Sequence, residues 1–206
     1  MKSPDRLEQN GVRGWLHLPA AKPSAAIAIA HGAGGNAEAK LMVAIAAAFA
    51  AAGYAALRYD LPFKQVNRPP TGDAQQRRDR EGIRQAVAEL RKLAPVIYLA
   101  GHSYGGRQSS MLAAEDPSVA KALLLLSYPL HPPGRPEKLR VDHFPALRIP
   151  TLFVHGTKDD FGSIEEIEAA RKQIPAPTRL QIVERAGHGI PPAAAASLPA
   201  WLAALL

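Results

Sequence analysis

The pattern of apolar and polar positions changes character near residue 25. Before it, Leu7-Glu8-Gln9 and Val12-Arg13-Gly14-Trp15-Leu16-His17-Leu18 flank Asn10-Gly11. Asn-Gly between two strand-like runs signals a two-residue hairpin, because both residues tolerate the positive φ that such a turn needs. Two antiparallel strands are therefore expected, followed by a turn-rich link over residues 19–24. Beyond the link, short apolar runs at 25–30, 54–59, 96–100, 122–126, 151–154 and 179–183 read as strands. Helix-like stretches separate them, at 38–52 (closed by Gly53), 78–93, 107–115 and 163–173, with a last one at 193–206 interrupted or offset by Pro199. In the second of these, Ile83, Ala86, Val87, Leu90 and Leu93 recur on one face at helical spacing. The fourth carries Glu166 three residues after Ser163, a capping-box pattern.

Apolar strands alternating with helices imply an α/β fold, a mostly parallel sheet with helices on both faces. No internal repeat or second-domain boundary interrupts the pattern, so a single domain over residues 1–206 is expected. In such sheets ligands bind at the carboxyl ends of the strands. Two Pro-rich connections, 60–77 and 127–149, follow strand ends and read as long loops of functional interest.

Composition narrows the classes. At 206 residues and 47% apolar, the chain can bury a sizeable core and is not of a disordered type. The longest apolar stretch, residues 41–52, falls short of the ~20 residues a membrane span requires. Met1-Lys2-Ser3-Pro4-Asp5-Arg6 lacks the apolar centre of a signal peptide, which points to a cytoplasmic protein with no membrane partner. The absence of cysteine removes disulfides, thiolate metal sites and cysteine nucleophiles together. The net charge is +7, with arginines at 68, 77, 78, 80, 84 and 91. Asp73, Asp79, Glu81 and Glu89 are interleaved with them and residues 74–93 hold no aromatic side chain, so a solvated helix face is expected rather than a nucleic-acid surface. The charge is compatible with a modest pull on anionic substrates.

The candidate chemistry centres on Gly101-His102-Ser103-Tyr104-Gly105-Gly106, between an apolar strand and a helix. Strand, sharp turn bearing serine, then helix is the context of a G-x-S-x-G nucleophile elbow. The glycines let strand and helix backbones pass close to the serine. A serine nucleophile needs a base, and the base an orienting carboxylate. Of seven histidines, His188 in Ala186-Gly187-His188-Gly189-Ile190 lies on a flexible loop after the last strand, where it can reach across the strand ends. His102 is expected to point away from Ser103, and His31 and His155 to make structural hydrogen bonds at strand ends. The acid should fall between serine and histidine in this order of parts. Asp159 and Asp160 both follow the strand that ends at Gly156; neighbours in a turn point differently, so only one should face His188, and Asp159, at the turn three residues past Gly156, is preferred. A developing oxyanion needs fixed N–H donors, each worth about 2.7–4 kcal/mol. Tyr104 N–H, just after the nucleophile, is one; the second is placed at Ala33 in His31-Gly32-Ala33-Gly34-Gly35, with Gly34 as near alternative. That loop could instead cradle a phosphate, but it lacks both a Gly-Lys-Ser/Thr end and a G-x-G-x-x-G frame. Gly34, Phe63, Tyr128 and Phe161 follow strand ends and are candidates to line a substrate pocket.

With these parts placed, the chain resembles the α/β-hydrolase superfamily over nearly its whole length. The likeness is strongest to small, lid-poor members, the dienelactone-hydrolase-like and testis-expressed hydrolase-like groups. It rests on HGAGG at 31–35, RYDLPF at 58–63, GHSYGG at 101–106, HGTKDDFG at 155–162 and AGHGI at 186–190. It implies eight strands, the first two forming the hairpin, and a serine hydrolase of esterase or thioesterase type that uses Ser103, Asp159 and His188 without metal or organic cofactor. Dienelactone hydrolases proper use cysteine as nucleophile, so serine at 103 departs from their pattern. Perhydrolase or peptidase action with the same residues, or a catalytically silent binding protein on the same fold, are the other readings.

Overall fold

The computed structural model describes residues 3–206; Met1 and Lys2, which open the polar N-terminal stretch, lie outside the described residues. One eight-stranded sheet runs through the molecule in the order β1-β2-β4-β3-β5-β6-β7-β8. Strands β1 (Asp5–Gln9) and β2 (Val12–His17) form the expected antiparallel hairpin, with Asn10 and Gly11 at φ 51° and 78°. The hairpin joins the sheet through an antiparallel pairing of β2 with β4 (Ala55–Tyr59). From there β3 (Ala25–Ala30), β5 (Val96–His102), β6 (Leu123–Leu126), β7 (Thr151–Gly156) and β8 (Thr178–Val183) pair in parallel. This is the α/β-hydrolase fold.

Side chains alternate across β3 and divide the core in two. Ile27 and Ile29 face a layer built from α1 (Lys40–Ala51) and α6 (Leu198–Ala203), with Phe49, Leu198 and Leu202 buried against them. Ala26, Ala28 and Ala30 face the opposite layer, made by α3 (Asp73–Arg91), α4 (Tyr104–Glu115) and α5 (Ile164–Arg171). Each fully buried Leu, Ile or Phe contributes about 1.5–3 kcal/mol relative to exposure. Small side chains on the second face let α4 approach the sheet closely. A Cβ at Gly105 would lie 2.5 Å from the His31 carbonyl oxygen, so the helix can leave the elbow at this angle only with glycine there.

Three elements differ from the expectation. The connection after β4 is not irregular: it holds a helical turn, α2 (Pro62–Gln65), and the first five residues of α3, which starts at Asp73. Residues 73–77, polar apart from Ala74, carry no apolar stripe, so periodicity misses them; side-chain bonds made by Gln75 and Gln76 hold them in place. The C-terminal stretch is a 3-10 segment, Pro192–Ser197, running into α6. Pro199 does not interrupt the helix, because it sits in the first turn, where the missing N–H has no helical partner to lose. The connection 127–149 contains a short 3-10 turn, Phe144–Ala146, buried through Phe144. No helix among the described residues is long and apolar enough to cross a membrane.

Candidate active site

The elbow stands at the carboxyl end of β5, near the middle of the sheet. Ser103 adopts φ 51° and ψ −118°, a sparsely populated conformation for a residue with a side chain. Packing imposes it: Ser103 N–H donates to Leu126 O at 2.9 Å, and the Ser103 carbonyl accepts Arg107 N–H at 3.0 Å, which starts α4.

Three segments far apart in sequence meet above it. His188, on the loop after β8, has Nε2 2.7 Å from Ser103 Oγ. Its Nδ1 lies 2.9 and 3.0 Å from the two oxygens of Asp159, on the loop after β7. Asp159 is held in turn by Phe161 N–H, 2.9 Å from Oδ1, and its side chain is fully buried. Asp160 points to solvent. With Nδ1–H bonded to a carboxylate, the Nε2 lone pair of neutral His188 faces the serine hydroxyl. Phe161 stacks on the imidazole, centroids 4.0 Å apart and planes 27° apart, and limits its rotation.

The other histidines brace the loops. His102 Nε2 lies 2.8 Å from the His188 carbonyl oxygen and so ties the end of β5 to the loop that carries His188. His31 receives Leu61 N–H at Nε2 (3.1 Å), leaving Nδ1–H to donate to Gly32 O at 2.8 Å, which fixes the glycine-rich loop against the end of β4. Asp60 Oδ1 and Arg58 Nη1 secure the same loop through the Ala37 amide and carbonyl, at 2.9 and 2.8 Å. His155 Nε2 is 2.8 Å from Gly162 O, behind Asp159. Burial, as the leading cause, lowers the pKa of His31, His102 and His155, so all three are held neutral.

A cavity of about 890 Å³ opens over Ser103 and His188. Ala33, Gly34, Tyr104 and Phe161 line it. Among the described residues, the amides of Ala33, Gly34 and Tyr104 donate to no protein acceptor. Phe63 and Tyr128 do not reach it, contrary to the expectation from their positions after strand ends. Phe63 is 2% exposed and packs edge-on against His31 and Tyr104 beneath the site. Tyr128 is fully buried against Phe144 and Phe153, with its hydroxyl donating to Arg140 O at 2.6 Å. A strand end places a residue near the carboxyl edge of the sheet but does not decide which way its side chain turns.

Residues that belong to no motif also shape this cavity. Asp79, buried in α3, accepts the Tyr104 hydroxyl at 2.6 Å and the Phe63 amide at 3.0 Å, and so anchors the residue that follows the elbow serine. Burial first, and Asp79 second, push the Tyr104 hydroxyl pKa up. Arg107 and Arg140 line the cavity as well. Arg107 falls four residues after Ser103, a spacing that puts both on one side of α4; Arg140 has no such local signal. Among the described residues, no group of three or more His, Cys, Asp or Glu side chains is arranged to hold a metal ion.

A serine at a strand–helix elbow, on a mostly parallel sheet entered by an antiparallel hairpin, defines a protein of the α/β-hydrolase class. The chain belongs to that superfamily: the Alpha/beta hydrolase domain family matches residues 23–198. Solved structures share the fold at low identity. Est1E from Butyrivibrio proteoclasticus superposes with a TM-score of 0.76 at 21% identity, covering 98% of this chain and 100% of that one. A dienelactone hydrolase from Anabaena variabilis gives 0.77 at 23% identity, covering 98% and 94%. The esterase domain of a Rhodothermus marinus protein gives 0.71 at 20% identity, covering 98% of each chain.

Proposed function

We infer that this α/β hydrolase is a serine hydrolase that cleaves esters or thioesters of small to medium acyl groups. The observation that carries the reading is the unbroken hydrogen-bonded series from Ser103 Oγ through both nitrogens of His188 to buried Asp159. In this reading Ser103 Oγ attacks the carbonyl carbon while His188 Nε2 takes its proton. The carbonyl oxygen becomes an oxyanion facing the amides of Tyr104 and Ala33, with Gly34 as alternative to Ala33. Collapse breaks the bond to the leaving alcohol or thiol, which takes the proton from His188. Water then attacks the acyl-serine, His188 removes its proton, and the acid departs as Ser103 recovers its own. Asp159 holds the imidazole in the Nδ1–H tautomer and stabilises its charged form. Est1E, which shares this fold, has been solved with ferulic acid bound, in keeping with a cavity here that takes an acyl group.

The test is Ser103→Ala with p-nitrophenyl acetate as substrate and a fluorophosphonate probe as label. Loss of the nucleophile from such a chain of residues costs about a million-fold in kcat. Turnover should fall to background and labelling should vanish. Unchanged turnover in the variant, or a wild-type protein that the probe leaves unlabelled, rejects the reading.

A further inference from the structure

Two of the residues that line the cavity are arginines without a counter-charge. Arg107 and Arg140 both line it, one from the first turns of α4 and one from the β6–β7 connection. Arg107 Nη1 donates to Gln76 Oε1 at 3.2 Å, and Arg140 Nη1 to Pro129 O at 3.3 Å, both neutral acceptors. Among the described residues neither forms an ion pair. Arg107 Nε is shut off from solvent and has no acceptor at all. Arg80 shows the ordinary arrangement in the same region: it bonds Glu115 at 2.9 Å and Gln108 at 3.0 Å. The acids that sit nearby are occupied or placed elsewhere. Asp79 accepts from Tyr104, Phe63 and Gln75, and Asp159 faces His188.

Two like charges lining one half-buried cavity are costly unless something opposes them. Burial first, and the Arg107 charge second, lower the pKa of Arg140. A stability role would pair them with carboxylates, as Arg80 is paired. Leu41, Met42, Pro70 and Ile190 give the same wall apolar surface, beside the polar side chains of Gln76 and the histidines. The cavity therefore offers a nucleophile, an apolar surface and a cationic pair together.

We propose that Arg107 and Arg140 form a subsite for an anionic group on the substrate, so that the ester or thioester cleaved at Ser103 carries a carboxylate or phosphate on an otherwise apolar skeleton. The proposal rests on the serine-hydrolase reading and adds the substrate class. Guanidinium groups suit either oxyanion, since both accept paired N–H donors. The anion would meet the Nη groups of Arg107 and Arg140, whose acceptors within the folded chain are neutral.

Matched substrate pairs separate the two sources of negative charge. Mono-p-nitrophenyl glutarate against p-nitrophenyl valerate reads a carboxylate; acetyl-coenzyme A against S-acetylpantetheine reads phosphate. A hydrogen bond to a charged group contributes enough to expect a preference of about 10- to 100-fold in kcat/KM for the anionic member of one pair. Arg107→Gln and Arg140→Gln should each move that ratio toward one, and Arg140→Lys should retain more of it than Arg140→Gln. Because each variant is read as a ratio of two substrates, partial unfolding lowers both rates and leaves the readout intact. A wild-type ratio near one in both pairs, or a ratio that the substitutions leave unchanged, overturns the subsite. If the neutral esters are still cleaved and Ser103 still labels with fluorophosphonate, only the subsite falls; if neither occurs, the serine-hydrolase reading falls with it.

Discussion

At the scale of single residues, two adjacent aspartates show how sharply a turn can divide roles. Asp159 is buried and bonded to His188 and Phe161 N–H; Asp160 is exposed and makes no side-chain bond to the described residues. Replacing Asp159 by Asn keeps the size but lets the amide stabilise the wrong imidazole tautomer, and an equivalent change elsewhere lowers kcat about 10⁴-fold. We expect Asp159→Asn to lose activity on that order and Asp160→Asn to stay within about threefold of wild type, since surface substitutions change little. Measuring kcat for both on one ester decides it; equal effects would remove Asp159 from its role. That only one of the pair would face His188 was legible because adjacent turn residues point apart; which one was decided by the fold. The inward turn of Phe63 and Tyr128 was not, because side-chain direction there depends on His31, Phe144 and Phe153, which only the folded molecule brings near.

At the scale of elements, helix ends were readable where a local device marks them. Ser163 and Glu166 form a reciprocal capping box at the start of α5, with Ser163 N–H donating to Glu166 Oε2 at 2.7 Å and Glu166 N–H to Ser163 Oγ at 3.2 Å. Removing such a cap costs about 0.5–2 kcal/mol. Ser163→Ala should lower the urea midpoint accordingly while kcat holds, because α5 carries no cavity-lining residue. A large drop in kcat at constant stability would mean that α5 positions the Asp159 loop more tightly than its cap suggests. The start of α3 carries no such mark. Gly72, at φ 76°, precedes it without a side-chain cap, so the helix begins where a bond from Gln75 to Asp79 within the helix and one from Arg107 of α4 to Gln76 hold it.

At the scale of the whole molecule, burial of imidazoles ties stability to pH. His143 donates to or accepts from Ser110 Oγ at 2.8 Å, and burial, with Arg107 and Arg80 behind it, lowers its pKa to about 4. His17, His31, His102 and His155 are lowered as well, with burial the leading cause in each. An unfolded histidine takes up a proton near pH 6.5, while folded His143 refuses it until about pH 4. Between those values the unfolded chain binds more protons, so stability falls as pH falls, by about 1.4 kcal/mol per pH unit for one fully shifted group. Thermal midpoints should drop steadily from pH 7 to pH 5, and His143→Gln should make that slope shallower. An unchanged slope in the variant would show that the remaining histidines carry the effect without His143.

What the sequence determined by itself was local or periodic. Strand and helix alternation, the Asn-Gly hairpin, the elbow around Ser103 and the α5 cap all depend on neighbours a few residues apart, so composition and spacing suffice to read them. Tertiary structure alone decided which side chains share the cavity. Arg107 and Arg140 face one space, and His102 steadies the His188 loop, because β5, β6 and the loop after β8 end side by side. Contacts between segments so distant in the chain leave no periodic trace in it, and the charge balance of a cavity exists only once its walls have assembled.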